Sequence, residues 1–132
     1  MLIYYGKHKK LTVFIEKLVD VFKRKGDELR IYQVEKNSTS KNLSSCEFVL
    51  LGCPVMHSFG GKIPIEITNY IQKCSGLERK KSIVFIFPKL FGNGKTIKNL
   101  MDLLEKKGSF VIDFLQIRDP EKDSKLLVSH LK

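Results

Sequence analysis

Residues 48–52 read FVLLG and contain no side chain that seeks water. A strand with one wet face alternates apolar and polar residues, so an unbroken apolar run belongs to a strand covered on both faces. Residues 82–87, SIVFIF, repeat the pattern after an opening serine. Two such strands need helices on both sides of one sheet, which makes the sheet mostly parallel and the chain an α/β protein.

The flanking segments carry the matching helical period. Leu11, Phe14, Ile15, Leu18, Val19 and Phe22 form one buried face, with Glu16, Lys17, Asp20, Lys23 and Arg24 opposite and Gly26 as a stop. The same spacing predicts a second helix over 63–74, with Pro64 in its first turn. A third covers 96–108, with Thr96 as N-cap and Gly108 at its end. A short helix from Glu121 to Leu131 follows Pro120. Further strands are expected at MLIYY (1–5), ELRIYQV (28–34) and SFVIDFLQI (109–117), the second alternating as an edge strand does. The polar, Ser- and Asn-rich stretch 35–45 reads as a loop or a frayed short helix. The expected architecture is a three-layer, doubly wound, five-stranded parallel sheet in a single domain spanning 1–132. Its common strand order is 2-1-3-4-5, with a ligand crevice at the carboxyl ends of strands 1 and 3.

Composition narrows the function classes. The 132 residues are 42% hydrophobic and 29% charged, ordinary for one globular domain with one site. Lys and Arg number 24 against 14 Asp and Glu, a formal charge of +10 that favours anionic partners. Arginine is confined to Arg24, Arg30, Arg79 and Arg118, so bidentate base reading has few candidates, and no nucleic-acid motif is present. Cys46, Cys53 and Cys74 form no C-x-x-C pair and are odd in number, against a disulfide framework or structural zinc and in favour of a reducing, cytoplasmic setting. His8, His57 and His130 lack metal-ligand spacing, so no metal site is expected. No signal peptide is visible, and the longest apolar run, FVLLGCPVM, falls short of the roughly 20 residues of a membrane span, so a soluble chain is expected.

FPKLFGNGKT, residues 87–96, ends like a triphosphate-binding loop. The G-x-x-x-x-G-K-[ST] pattern needs a glycine at position 89 so that backbone can wrap the phosphate, and position 89 is Lys. A glycine-rich turn before a helix explains the stretch more simply.

Three loops together carry a different resemblance. Tyr5-Gly6 leads through KHKKLT (7–12) into a helix, VLLGCPV leads through GGKIP, and FIFPKLFGNG precedes a helix ending LLEKKG. The chain resembles the flavodoxin-like family over nearly its whole length. That resemblance implies FMN lying across the carboxyl edge of the sheet, its phosphate at the start of the first helix and its ring between the second and third loops. Carried over residue by residue, the phosphate loop is Gly6, Lys7, His8, Lys9, Lys10, Leu11 and Thr12. The family's S/T-x-T-G-N-T pattern keeps only its last hydroxyl, Thr12; Lys7 and Lys9 replace the other two, Lys10 the glycine and Leu11 the asparagine. The second loop is Cys53, Pro54, Val55, Met56 and His57, with Phe59 beyond; the third is Phe91, Gly92, Asn93 and Gly94. Phe59 and Phe91 could stack on a ring or cover the edge of the core.

With this topology Lys7, His8, Lys9, Lys10, Lys62, Lys89 and Lys95 share one rim. Cys53 reads either as a thiol facing the crevice, activated by Lys62, or as a small buried hydrophobe, with the second favoured. No catalytic residue is assigned. The resemblance implies an FMN-dependent electron carrier or small oxidoreductase. The alternative is a binding or regulatory module on the same fold that has lost FMN and uses its basic rim. An acidic redox protein or an anionic cosubstrate fits that rim; nucleic acid is not expected.

Overall fold

A computed structural model describes residues 1–39, 41–55 and 61–131. Its elements are β1 (Leu2–Tyr4), α1 (Leu11–Arg24), β2 (Ile31–Gln33), β3 (Phe48–Pro54), α2 (Ile65–Lys73), β4 (Lys81–Phe87), α3 (Asn93–Glu105), β5 (Phe110–Gln116) and α4 (Pro120–Ser129). All neighbouring strands pair in parallel, in the order β2-β1-β3-β4-β5.

The central strands send successive side chains to opposite faces, and each face has its own core. Leu50, Ile83, Phe85 and Phe87 pack with Leu11, Phe14, Leu18 and Phe22 of α1 and with Leu127 and Val128 of α4. Val49, Leu51, Val84 and Ile86 pack with Ile67, Tyr70 and Ile71 of α2 and with Ile97, Leu100 and Leu104 of α3. Full burial of each large apolar side chain contributes about 1.5–3 kcal/mol, so these two layers hold the sheet between its helix pairs.

Gly52 is set by that packing. A Cβ there would lie 2.2 Å from the Phe85 ring, which crosses over the neighbouring strand where a side chain would otherwise stand.

Two helix starts differ from the sequence expectation. α2 begins at Ile65, because Pro64 has an extended backbone (ψ 137°) and stands at the N-cap, with Ile63 outside the helix. α3 begins at Asn93 rather than at Thr96, with left-handed Gly92 (φ 84°) at the cap. Thr96 therefore lies in the first turn, buried, and its hydroxyl donates to the Gly92 carbonyl at 2.8 Å instead of capping. The sequence pattern misses this because the three residues before Thr96, Asn93, Gly94 and Lys95, carry no apolar period.

Candidate functional site at the carboxyl edge

The loops that follow β1, β3 and β4 meet at one edge of the sheet. The Tyr5 N–H donates to the Gly52 carbonyl at 3.2 Å, and the Val55 N–H to the Phe87 carbonyl at 3.2 Å. Gly6 turns with φ 90°, leaving a Cβ position only 3.1 Å from Pro54 Cδ. Its left-handed backbone and its contact with the second loop both call for glycine. Gly61, at φ 62°, lies against the start of α3, and its carbonyl accepts from Asn99 Nδ2 at 2.7 Å.

The first loop closes without a second left-handed residue. Lys10 has φ −88° and ψ −12°, ordinary right-handed geometry, so the position that the resemblance assigns to glycine accepts a lysine without strain. The Lys10 N–H donates to His8 Nδ1 at 3.1 Å, which leaves Nε2 to carry the proton of the neutral ring. The His8 ring stacks on Phe87, with centroids 4.7 Å apart and planes 15° from parallel. Burial first, then the positive Lys10 and Lys9, hold the His8 pKa below its ordinary value.

α1 starts without a side-chain cap and without an acidic residue in its first turn. Its first hydrogen bonds run from the Leu11 N–H to the His8 carbonyl (3.0 Å) and from the Phe14 N–H to the Lys10 carbonyl (2.9 Å), leaving the Thr12 and Val13 N–H groups without an acceptor in the described residues. Exposed Lys7 and Lys9 stand in the loop before them. Two donors without an acceptor among the described residues, the positive end of a 14-residue helix and two exposed cations make this edge attractive to an anion.

Several residues implied by the resemblance are committed elsewhere. The Lys10 Nζ donates to the Arg118 carbonyl at 2.8 Å, which ties the first loop to the β5–α4 corner. The Leu11 side chain is buried in the core under α1, so only its backbone borders the edge. The Asn93 amide is used twice inside the third loop, accepting from the Lys89 N–H (2.9 Å) and donating to the Lys89 carbonyl (2.7 Å). Cys53 and Val55 are buried, and burial pushes the Cys53 thiol up to about 12, so it is a neutral packing group and not an activated nucleophile. Thr12 is exposed on the first turn of α1, and Phe91 stands 57% exposed on the third loop beside Gly92 and Gly94. Met56, His57 and Phe59 lie outside the described residues.

Two contributors had no motif to mark them. Tyr5, just after β1, lies near Glu66 in the first turn of α2, and its pKa is raised by burial and then by that carboxylate. The His8–Phe87 stack joins the first loop to the end of β4. A tyrosine just before a turn glycine is the only sequence signal for the first, and the second has none.

No protein-family model matches the chain, and no curated protein matches it. Solved structures do. Oxidised flavodoxin 1 from Bacillus cereus superposes with a TM-score of 0.75 at 13% identity, covering 98% of this chain and 93% of that one. The flavodoxin of Streptococcus pneumoniae TIGR4 gives 0.68 at 11% identity, covering 98% and 92%. The solution structure of two-electron reduced Megasphaera elsdenii flavodoxin gives 0.62 at 18% identity, covering 95% and 99%. At these identities the likeness is one of architecture, and the chain has the flavodoxin-like fold.

Proposed function

We propose that this chain binds FMN across the carboxyl edge of its sheet and serves as an electron carrier or a small flavin-dependent oxidoreductase. The observation that carries this reading is the uncapped, acid-free start of α1, where the Thr12 and Val13 N–H groups have no acceptor among the described residues and Lys7 and Lys9 stand close in sequence. Those groups would hold the phosphate, with Gly6 allowing the turn beside Pro54. The backbone of Pro54 and Val55 and the exposed Phe91 would border the ring. When bound, the flavin supplies the redox chemistry; the chain supplies binding, orientation and the local field. Two of the similar structures are an oxidised and a two-electron reduced flavodoxin, which supports a redox role on this fold.

Titration of the purified protein with FMN, followed by flavin fluorescence, tests the reading. Saturable quenching is expected, with riboflavin, which lacks the phosphate, binding at least about tenfold more weakly because charge-assisted bonds are lost. Thr12→Ala should weaken FMN and leave riboflavin unchanged. A flat FMN titration would end the flavin reading, and equal binding of FMN and riboflavin would end the phosphate assignment.

A further inference from the structure

The loops after β1, β3 and β4, residues 5–10, 55–64 and 88–92, contain Lys7, Lys9, Lys10, Lys62 and Lys89 and no Asp or Glu. Lys95 adds a sixth cation from the first turn of α3. Of these, Lys7, Lys9, Lys62, Lys89 and Lys95 are exposed. Glu66, in the first turn of α2, is an acid close to these loops and adds to burial in raising the Tyr5 pKa, and Asp123, which accepts from the Arg118 N–H, stands at the β5–α4 corner to which Lys10 is tied. At the opposite, amino edge the signs are mixed: Asp27, Glu28 and Glu47 line a cleft together with Arg30. Cations are also plentiful at that amino edge, where Arg79, Lys80 and Lys81 stand beside Glu47 and Glu78, so what marks the three loops is that their lysines come without an acid among them.

Apolar side chains are exposed among those lysines. Leu90 is 86% exposed, Ile65 62% and Phe91 57%, and all three stand at the carboxyl edge. A lysine rim around exposed aliphatic groups is the anatomy of a protein-docking face, where an apolar centre is desolvated and a charged rim steers approach. Phosphate backbones give Leu90 and Ile65 nothing to bury against, and single-stranded nucleic acid needs stacking platforms that one phenylalanine does not supply.

We infer that the carboxyl edge docks an acidic protein whose contact face has an apolar centre ringed by Asp and Glu. This inference stands on the rim and the exposed aliphatics, and does not depend on the flavin. The test uses three probes: a random Glu-Tyr copolymer, poly-glutamate of equal length, and single-stranded oligothymidylate of equal charge. Wild type should bind the copolymer more tightly than either of the others. Lys62→Glu, Lys89→Glu and Lys95→Glu together take the charge from +10 to +4, six charges for three reversals. They should weaken copolymer binding by about tenfold or more at low salt.

The same reversal at exposed Lys23, Lys106 and Lys125 also gives +4 and should change binding by less than about threefold, since interactions beyond a Debye length are screened. Leu90→Ser alters a side chain with almost no packing, so the fold is retained while the preference for the copolymer over poly-glutamate disappears. Equal losses in the two triple variants would show a net-charge effect and overturn the inference. Unchanged preference in Leu90→Ser would overturn the apolar centre. Tighter binding of oligothymidylate than of the copolymer would assign the rim to nucleic acid instead.

Discussion

Replacing Gly61 by Ala tests the seam that brings the second loop against α3. A Cβ at Gly61 would lie 2.4 Å from Lys95 Cβ and 2.6 Å from both the Lys95 carbonyl carbon and the Thr96 nitrogen. Carbon atoms rest comfortably at roughly 3.5–4.0 Å, so the segment must retreat by about 1 Å. Two of those three atoms are helix backbone and cannot swing aside. Left-handed geometry adds a cost of about 1 kcal/mol for Ala, and crowding against a fixed neighbour about 1–3 kcal/mol. If the segment withdraws, the Asn99–Gly61 hydrogen bond of 2.7 Å is lost as well, for about 1 kcal/mol. A total of about 3–5 kcal/mol lowers the melting temperature of a chain this size by roughly 10–18 °C. Gly94 is the control, because its Cβ position meets nothing within 4 Å and its φ is not left-handed. Inside α3, Ala is favoured over Gly by up to about 1 kcal/mol, so Gly94→Ala should melt slightly higher. Thermal melts of the two variants decide the matter. A Gly61→Ala protein that melts within about 2 °C of wild type would refute the docked geometry of this loop.

Other perturbations read other parts of the molecule. The lowered His8 pKa means that the unfolded chain takes up a proton more readily near pH 6. The stability associated with neutral His8 is therefore present above the unfolded pKa of about 6.5 and declines as pH falls below it. His8→Gln should flatten that acid limb in denaturant titrations at pH 5.5–7.5, and an unchanged limb would remove His8 as its source. Cys53 and Cys74 are buried and Cys46 is partly exposed, so Ellman's reagent should label Cys46 in the native protein and the other two only after unfolding. Fast native labelling of a Cys46→Ser variant would contradict this. Phe85→Ala should cost about 3–5 kcal/mol in urea unfolding. Because the Phe85 ring occupies the space of a Gly52 side chain, Gly52→Ala added to it should cost less than Gly52→Ala alone, and strict additivity would deny that contact.

The sheet was legible because burial leaves a compositional trace. β3 and β4 are covered on both faces, so FVLLG and SIVFIF lose their alternation, and that loss alone implies helices on two sides. α1 was legible for the opposite reason, one buried stripe and one charged stripe at the helical period. Helix starts were less legible, since Pro64 and Thr96 each suit more than one position of a first turn, and only the backbone at Pro64 and Gly92 separates them.

The site was legible only as far as backbone geometry coincides with a residue type. Gly6 is such a place: φ 90° and a Cβ position 3.1 Å from Pro54 make glycine necessary, and the sequence displays it. Lys10 is the reverse case. The resemblance marks that position as a glycine, yet its backbone is right-handed at φ −88°, so the departure from the motif does not by itself distort the loop. What the lysines alter is charge, with Lys10 fixed on the Arg118 carbonyl and Lys7 and Lys9 left exposed before two helix N–H groups that have no acceptor among the described residues. A loop whose motif has changed can therefore keep the electrostatics that an anion needs, because helix-end donors depend on where the backbone stops pairing and not on which side chains surround it. The FMN and riboflavin titrations measure that distinction directly: a phosphate preference that survives Lys7→Ala and Lys9→Ala would come from the helix end, and one that vanishes would come from the lysines.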